Sequence, residues 1–323
     1  MLMNRFRLNQ LAAGLLGAVM LCAGSATALA ETVSGKFAVV DHAGQHVDLV
    51  GPDGTPRLRY VYVRDTSDKQ RTFDTAKVFA HVMAPDGKGT LTSGPGGKSF
   101  PHHRGIFIGW NKIKHAGEMH DLWHVRDTVQ KHVSMKTASQ STARDGVLDG
   151  SASITARIDW VGKNGETLIE ETRTYRLVSS DDAYAVIDLI SELKAVAGDL
   201  VLNGDPEHAG VQFRPSQKVA ENKSAKYTFH EPGVDPTKQR DLPWVACTFT
   251  IDGADWTVQH INHPSNPTGA RWSAYRDYGR FGPFPVIELK EGETQKLQFR
   301  FRVTEGTAPE REVLAKAAAE FAK

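Results

Sequence analysis

Hydrophobic and polar residues alternate with a period of two along much of the chain between residues 36 and 304. In residues 297–304, apolar Leu, Phe, Phe and Val occupy every second position, and Gln, Arg, Arg and Thr occupy the positions between them. Residues 154–160 follow the same pattern. Because successive side chains of a strand point to opposite faces of its sheet, the pattern predicts β-strands with one buried face.

Short turn sequences separate these segments, for example Pro52-Asp53-Gly54 and Lys163-Asn164-Gly165. Glu291-Gly292 predicts a hairpin that joins residues 286–290 to residues 296–303. Many short strands separated by turns are typical of an all-β protein, and we expect a large antiparallel β-sandwich.

The end of the chain has helical rather than strand periodicity. Pro309 is suited to the first turn of a helix. Apolar residues then recur at helical spacing, namely Val313, Leu314, Ala317, Ala318 and Phe321. The sequence therefore predicts a C-terminal helix over about residues 309–322, packed against the sandwich.

The first thirty residues have the pattern of a signal peptide. Arg5 and Arg7 precede an apolar run from residue 11 to residue 22, and a small-x-small sequence ends at Ala30. An apolar run needs about 20 residues to span a membrane, and this run is shorter. We expect cleavage after Ala30, a periplasmic or secreted protein with no membrane span, and one domain over residues 31–323.

The charge balance excludes one broad class of function. The 323 residues include 39 Lys and Arg against 38 Asp and Glu. A nucleic-acid-binding protein normally has a basic excess, so we expect no nucleic-acid partner. Cys247 is the single cysteine that remains after the leader, and its apolar surroundings predict a buried side chain rather than a nucleophile.

Histidine is concentrated in one part of the chain, since five of the 13 histidines fall within residues 102–124. His102, His103 and Arg104 precede a predicted strand, and Asp121 lies three residues before His124. Imidazole exchanges a proton near neutral pH and is the commonest metal ligand in proteins. Two further segments are rich in polar side chains of the same kind. They are residues 203–214, with Asp205, Glu207, His208 and Arg214, and residues 260–280, with His263, Asn266 and Arg276.

Two chemistries are consistent with these residues. One is a site for a divalent metal ion, with Zn, Mn and Cu equally compatible. Its candidate ligands are His102, His103, His208 and His263, and the spacings of His120 with His124 and of His260 with His263 also suit ligation. The other is a metal-free acid–base site that pairs His208 with His103, Glu207 or Asp205.

Several motifs of the chain resemble those of the PmoA family of exported bacterial proteins. They are Pro101–Phe107, Asp205–Phe213, His263–Pro267, Arg271-Trp272 and Arg276–Gly279, within a likeness that spans residues 58–304. Members of that family are met among bacterial genes for carbohydrate degradation. The resemblance therefore implies sugar chemistry and a sandwich of the galactose-mutarotase type.

We therefore expect an exported carbohydrate-active enzyme, either a lyase, a hydrolase or an epimerase. The expected catalytic residues are His103, His208 and Glu207. The expected substrate-binding residues are Arg104, Trp110, Trp123, Arg214, Asn266 and Arg276. The partner would be a carbohydrate or another small polar ligand. The alternatives are a non-catalytic periplasmic sugar-binding protein and a periplasmic metal-binding protein.

Overall fold

Two large antiparallel sheets pack face to face in the computed structural model, which describes residues 35–144, 147–205 and 207–323. The predicted signal peptide, residues 1–30, lies outside the described residues. Within the described residues the chain forms twenty strands and three helices. No helix in that part of the chain is both long and apolar enough to cross a membrane.

The strands are short at the beginning of the chain and long in its middle. The first ten are β1 (Ala38–His42), β2 (His46–Val50), β3 (Pro56–Val61), β4 (Phe79–Val82), β5 (Ile106–Trp110), β6 (Lys112–His115), β7 (Glu118–His120), β8 (Val129–Arg144), β9 (Val147–Val161) and β10 (Thr167–Val178). The other ten are β11 (Ala185–Ala195), β12 (Leu200–Asn203), β13 (Ala209–Phe213), β14 (Lys226–Phe229), β15 (Trp244–Ile251), β16 (Ala254–Asn262), β17 (Arg271–Trp272), β18 (Pro283–Phe284), β19 (Ile287–Leu289) and β20 (Thr294–Glu305). The helices are α1 (Lys69–Asp74), α2 (Gln217–Asn222) and α3 (Arg311–Phe321).

The two large sheets have six and eight strands. The six-stranded sheet has the order β1-β2-β3-β4-β5-β13, and the eight-stranded sheet has the order β14-β15-β16-β20-β11-β10-β9-β8. A four-stranded sheet (β19-β12-β6-β7) and the pair β17-β18 complete the fold. Apolar residues from both large sheets form one continuous core between them. The prediction of an all-β antiparallel sandwich with a C-terminal helix is confirmed.

The alternating pattern accounts for which strand faces are buried. On β20, Leu297, Phe299, Phe301 and Val303 are all at most 1% exposed, whereas the residues between them are partly exposed. Burying one apolar face of each strand favours the sandwich by about 25 cal/mol for each Å² removed from water.

The predicted hairpin between residues 286–290 and 296–303 is wrong. β19 pairs with β12 in the four-stranded sheet, and β20 lies between β11 and β16 in the eight-stranded sheet. The Glu291-Gly292 turn therefore joins two sheets. A turn sequence specifies a change of direction, but strand partners depend on which faces can be buried together.

Helix α3 packs against the eight-stranded sheet. Leu314 and Ala318 contact a small apolar cluster formed by Trp244, Ala246 and Ile261. Val313, which the helical pattern placed on the apolar stripe, is 45% exposed and lies outside this contact. The helix covers the part of the sheet face formed by β15 and β16.

Candidate functional site

A cluster of polar side chains lies over the outer face of the six-stranded sheet, at β5 and β13. On β5, Ile106, Ile108 and Trp110 point into the core, whereas Phe107 packs on the opposite face with Trp123. Trp110 is fully buried and donates its Nε1 hydrogen to the Pro285 carbonyl at 3.1 Å. This position corrects the prediction that Trp110 stacks on a substrate.

Two glycines let loops approach β5 closely. Gly105 has a φ of 53°, and a Cβ there would lie 2.1 Å from the Ala80 carbonyl oxygen. A Cβ at Gly109 would lie 2.7 Å from the carbonyl oxygen of Leu122. A Cβ atom does not fit at such distances, so glycine is required at both positions. The loops that hold residues 100–104 and 121–124 can therefore lie next to the strand.

Three histidines from three different loops converge over this face. His102, His124 and His208 each offer one ring nitrogen, and these three nitrogens lie within 4.8 Å of one another. The rings line a surface cleft of about 720 Å³ together with Phe73, Phe100, Val125, Arg126 and Asp127. We call His102, His124 and His208 the histidine triad. The structure thus brings together two predicted ligands, His102 and His208, and adds His124.

Aspartates orient two of the three rings through the same local motif. Nδ1 of His124 donates to Asp121 at 2.8 Å, and Nδ1 of His208 donates to Asp205 at 2.5 Å. Each aspartate also accepts a backbone N–H from within its own turn, from Trp123 at 3.1 Å in the first case. Because the carboxylates occupy Nδ1, Nε2 is the nitrogen left to bind a ligand in both rings.

The surroundings favour neutral imidazoles and charged carboxylates. Burial, followed by the charge of Lys77, lowers the pKa of His102 to about 2. Burial also lowers the pKa of His208, although Asp205 acts in the opposite direction. For Asp121, burial alone would raise the pKa, but hydrogen bonds from His124 outweigh it and leave the pKa below its usual value. Near neutral pH, His102 and His208 therefore retain a free lone pair.

His103, which was predicted to be a ligand or a catalytic base, lies behind the triad and is only 2% exposed. Its ring centroid is 4.3 Å from that of His102 and 5.3 Å from that of Trp123. Burial, then the charge of Arg280, holds its pKa well below the usual range. His103 is not among the three converging side chains.

Glu207 and Arg276 form an ion pair beside the triad. Both side chains are partly exposed, and the pair connects the turn that holds His208 to the segment that precedes Tyr278. The pairing suits Glu207 to a positioning role, because its carboxylate is already bound to a guanidinium.

Three residues that were predicted to bind substrate are buried beneath the site. Arg104 donates to the carbonyls of Phe73, Asp74 and Pro101, which corrects its predicted role in orienting a substrate. Trp123 is fully buried with its ring edge-on to His208, so neither face is open for stacking. Arg214 is fully buried as well, but its guanidinium is only partly hydrogen-bonded.

His263 and Asn266 lie in a different part of the molecule. They line a groove of about 580 Å³ between α3 and the eight-stranded sheet. Nδ1 of His263 bonds to Ser265, and the Asn266 amide donates to Asn262 and to the Gln298 carbonyl. The prediction that His263 shares a metal with His102 and His208 is therefore corrected.

The two pairs of histidines whose spacing suited metal ligation, His120 with His124 and His260 with His263, do not lie together at one site. The His120 ring lies beside His115 and accepts the Lys163 N–H at 3.2 Å, so it does not pair with His124. His260 is fully buried among aromatic side chains of the core. The sequence signal that could have found His124 is the repeated Asp-x-x-His motif, Asp121 to His124 and Asp205 to His208.

A second group of possible metal ligands lies on the β1–β2 hairpin and consists of His42, His46 and Asp48. Both Asp48 oxygens accept from the Arg59 guanidinium, at 2.8 and 2.9 Å. A metal ion there would have to displace this bidentate pair, so the histidine triad is the better candidate.

Comparison with known proteins gives a family but no activity. The family described as "Family of unknown function (DUF6807)" matches residues 49–319. No curated protein matches the chain. Among solved structures, galactose 1-epimerase from Lactobacillus acidophilus NCFM is 10% identical, over 85% of this chain and 100% of that chain, with a TM-score of 0.40.

A protein from Escherichia coli K12, provisionally assigned as an aldose 1-epimerase, is also 10% identical. The match covers 84% of this chain and 99% of that chain, with a TM-score of 0.30. Likenesses this distant say nothing about the chemistry of this chain. The resemblance to the PmoA family and the galactose-mutarotase type of sandwich stay predictions.

Proposed function

Because the chain belongs to the family of unknown function DUF6807, we propose a function from the site itself: an enzyme that binds a divalent transition metal through the histidine triad and acts on a carbohydrate. The single observation that carries this proposal is the convergence of His102, His124 and His208, whose ring nitrogens lie within 4.8 Å of one another. The triad lies at the surface of an open cleft rather than in a closed core.

The donor set fits such a metal. Imidazole suits zinc, copper, iron and nickel, and catalytic zinc sites commonly have three protein ligands and one open position. His124 and His208 donate hydrogen bonds to Asp121 and Asp205, which matches the second layer of contacts that orients metal ligands in such sites. A metal held here would supply a Lewis acid that makes a nearby water easier to deprotonate.

The residues around the triad supply the remaining functions. His124 and His208 are held in one ring orientation by their aspartates, and both rings line the cleft. Asp127 lines the same cleft and is the carboxylate that we assign to proton transfer. Phe73 and Phe100 also line it and offer apolar surface for a sugar ring, in place of the buried tryptophans. The chemistry is then hydrolysis, elimination or epimerisation at a sugar carbon.

The carbohydrate substrate and the location outside the cytoplasm rest on the sequence. The resemblance of several motifs to those of the PmoA family favours sugar chemistry, and the first thirty residues favour export. We therefore propose that the protein is periplasmic or secreted, with cleavage after Ala30.

Metal content tests this proposal. Residues 31–323 are purified without a histidine tag and dialysed against a zinc salt. The protein should then contain about one equivalent of zinc. The His124→Ala variant should lose that metal, whereas His263→Ala, in the groove beside α3, should retain it. Wild-type metal content in His124→Ala would refute the site. Metal binding without turnover of any sugar would favour the alternative of a metal-binding protein.

A further inference from the structure

Four cationic side chains are buried around the triad without a carboxylate partner. In the described part of the chain, Lys77, Arg104, Arg214 and Arg280 are each at most 2% exposed, and they hydrogen-bond only to neutral oxygens. The fully buried Arg173 differs, because it forms a bidentate pair with a carboxylate, Glu171, at 2.7 and 2.8 Å. Buried charges are normally paired, because an isolated charge pays a large desolvation cost.

Two of these cations have unused hydrogen-bond donors. In Arg214, Nε and Nη2 have no partner among the described residues, and neither does Nη2 of Arg280. Nε1 of Trp123 and both ring nitrogens of His103 are unpartnered in the same sense. An unsatisfied buried polar group is unfavourable, because it has lost its hydrogen bonds to water. We call these four residues, Arg214, Arg280, Trp123 and His103, the donor recess.

The members of the donor recess are neighbours. The Arg280 guanidinium lies 5.4 Å from the Trp123 ring centroid, and its Nε is 3.3 Å from the Tyr278 hydroxyl. The Arg214 guanidinium lies 4.9 Å from the centroid of the same tyrosine. Arg280 also lowers the pKa of Arg214, after the larger effect of burial, which fits two cations held close together.

The recess adjoins the triad directly. The His103 ring centroid is 4.3 Å from that of His102, and the Trp123 centroid is 5.9 Å from that of His208. Phe100, which lines the cleft, stacks on His103 at 5.3 Å and thus lies between the cleft and the recess. Phe100 is 44% exposed and has a φ of 54°, a strained backbone conformation for this residue.

We infer that the substrate carries a carboxylate and that Arg280 and Arg214 bind it, so that the substrate is an acidic sugar of the uronic-acid type. This inference rests on the proposed function and names its substrate class. Nε and Nη2 of Arg214 form a planar fork that matches the two oxygens of a carboxylate, and Nη2 of Arg280 is a third free donor. A carboxylate held by both arginines would satisfy their free donors and neutralise part of their charge.

Glucuronate and glucose are suitable probes, because they differ by a carboxylate in place of a hydroxymethyl group. Their binding to residues 31–323 is measured by thermal shift and calorimetry at matched ionic strength, with and without zinc. Glucuronate should bind at least tenfold more tightly than glucose, also in metal-free protein, and added sodium chloride should weaken its binding. Equal affinity for the two sugars, or binding of neither, would overturn the inference.

Variants assign the effect to the recess. Arg280→Gln should reduce glucuronate affinity at least tenfold, and Arg280→Lys should restore part of it because the charge is kept. Arg300→Gln is the matched control, since Arg300 pairs with Asp188 on the eight-stranded sheet. If Arg280→Gln and Arg300→Gln bind glucuronate equally well, the arginine is not the carboxylate ligand. Measurement without metal separates this result from a failure of the metal site.

Discussion

Nδ1 of His208 lies 2.5 Å from Oδ1 of Asp205, three residues earlier in the chain. The same contact connects His124 to Asp121 at 2.8 Å. Each pair is local in sequence, so a single turn sets the orientation of its imidazole without help from the rest of the fold. The triad then requires only that these two turns and His102 lie side by side. The close approach of their loops to β5 brings them together.

Removing one orienting carboxylate should weaken metal binding without unfolding the protein. In Asp205→Asn, the turn keeps a hydrogen-bond acceptor, but the charge opposite Nδ1 of His208 is lost. We expect zinc affinity to fall about 10–100-fold, as measured by competition with a chelator. Asp199→Asn is the control, because Asp199 pairs with Lys290 at an exposed site. Equal zinc affinity in the two variants would show that Asp205 does not tune the ligand.

Gly105 should be required for both stability and the site. In Gly105→Ala, the new Cβ would meet the Ala80 carbonyl at 2.1 Å while φ is positive. We expect a loss of at least about 3 kcal/mol in the free energy of unfolding, from strain and steric overlap together. Gly96 has a φ of 85°, but a Cβ added there would meet open space. Gly96→Ala should therefore reduce the free energy of unfolding by only about 1 kcal/mol. Similar urea midpoints for the two variants would contradict the close approach.

The stability of the protein should fall in mild acid. Burial lowers the pKa of His81 to about 4 and holds that of His260 well below its usual range. An unfolded histidine titrates near 6.5, so below that pH the unfolded state binds more protons than the folded state. Stability is therefore fully present above pH 6.5 and falls below it, by up to about 1.4 kcal/mol per pH unit for each such histidine.

Urea unfolding at pH 7.5, 6.0 and 5.0 measures this dependence. His260→Leu should reduce the slope below pH 6.5, because it removes one buried histidine whose ring nitrogens have no partner among the described residues. A wild-type protein equally stable at pH 7.5 and 5.0 would show that these rings are not held neutral.

Two neighbouring residues of α3 should respond very differently to truncation. Leu314 is 3% exposed against Trp244 and Ile261, whereas Val313 is 45% exposed. Leu314→Ala should cost about 2–4 kcal/mol through lost burial and a cavity. Val313→Ala should change the free energy of unfolding by less than about 0.5 kcal/mol. If both variants lost similar amounts of free energy of unfolding, the face of α3 described here would not be the one that packs on the sheet.

The sandwich was predictable because strand burial is a local property of the pattern. The alternation in β20 specifies which side chains face the core, whatever the strand's partners are. The pairing of the strands was harder to predict from the sequence. The turn before β20 suggests a hairpin between β19 and β20, but β19 pairs with β12. The choice between β12 and β20 depends on contacts from distant parts of the chain.

The site was only partly predictable for a similar reason. Residue type identified His102 and His208, but it does not tell whether a side chain faces a cleft or the core. Because alternate residues of a strand share a face, Trp110 lies on the same face of β5 as Ile106 and Ile108. His124 required recognising that an aspartate three residues earlier orients the ring, which histidine spacing alone does not reveal.

The central claim is that three imidazoles bind one metal, and X-ray absorption at the zinc edge tests it most directly. The spectrum of residues 31–323 loaded with one equivalent of zinc should fit three imidazole nitrogens and one oxygen at about 2.0–2.1 Å. In His124→Ala, the fitted number of imidazoles should fall or the zinc should be lost. A wild-type spectrum with one imidazole or none, or one unchanged in His124→Ala, would contradict the account.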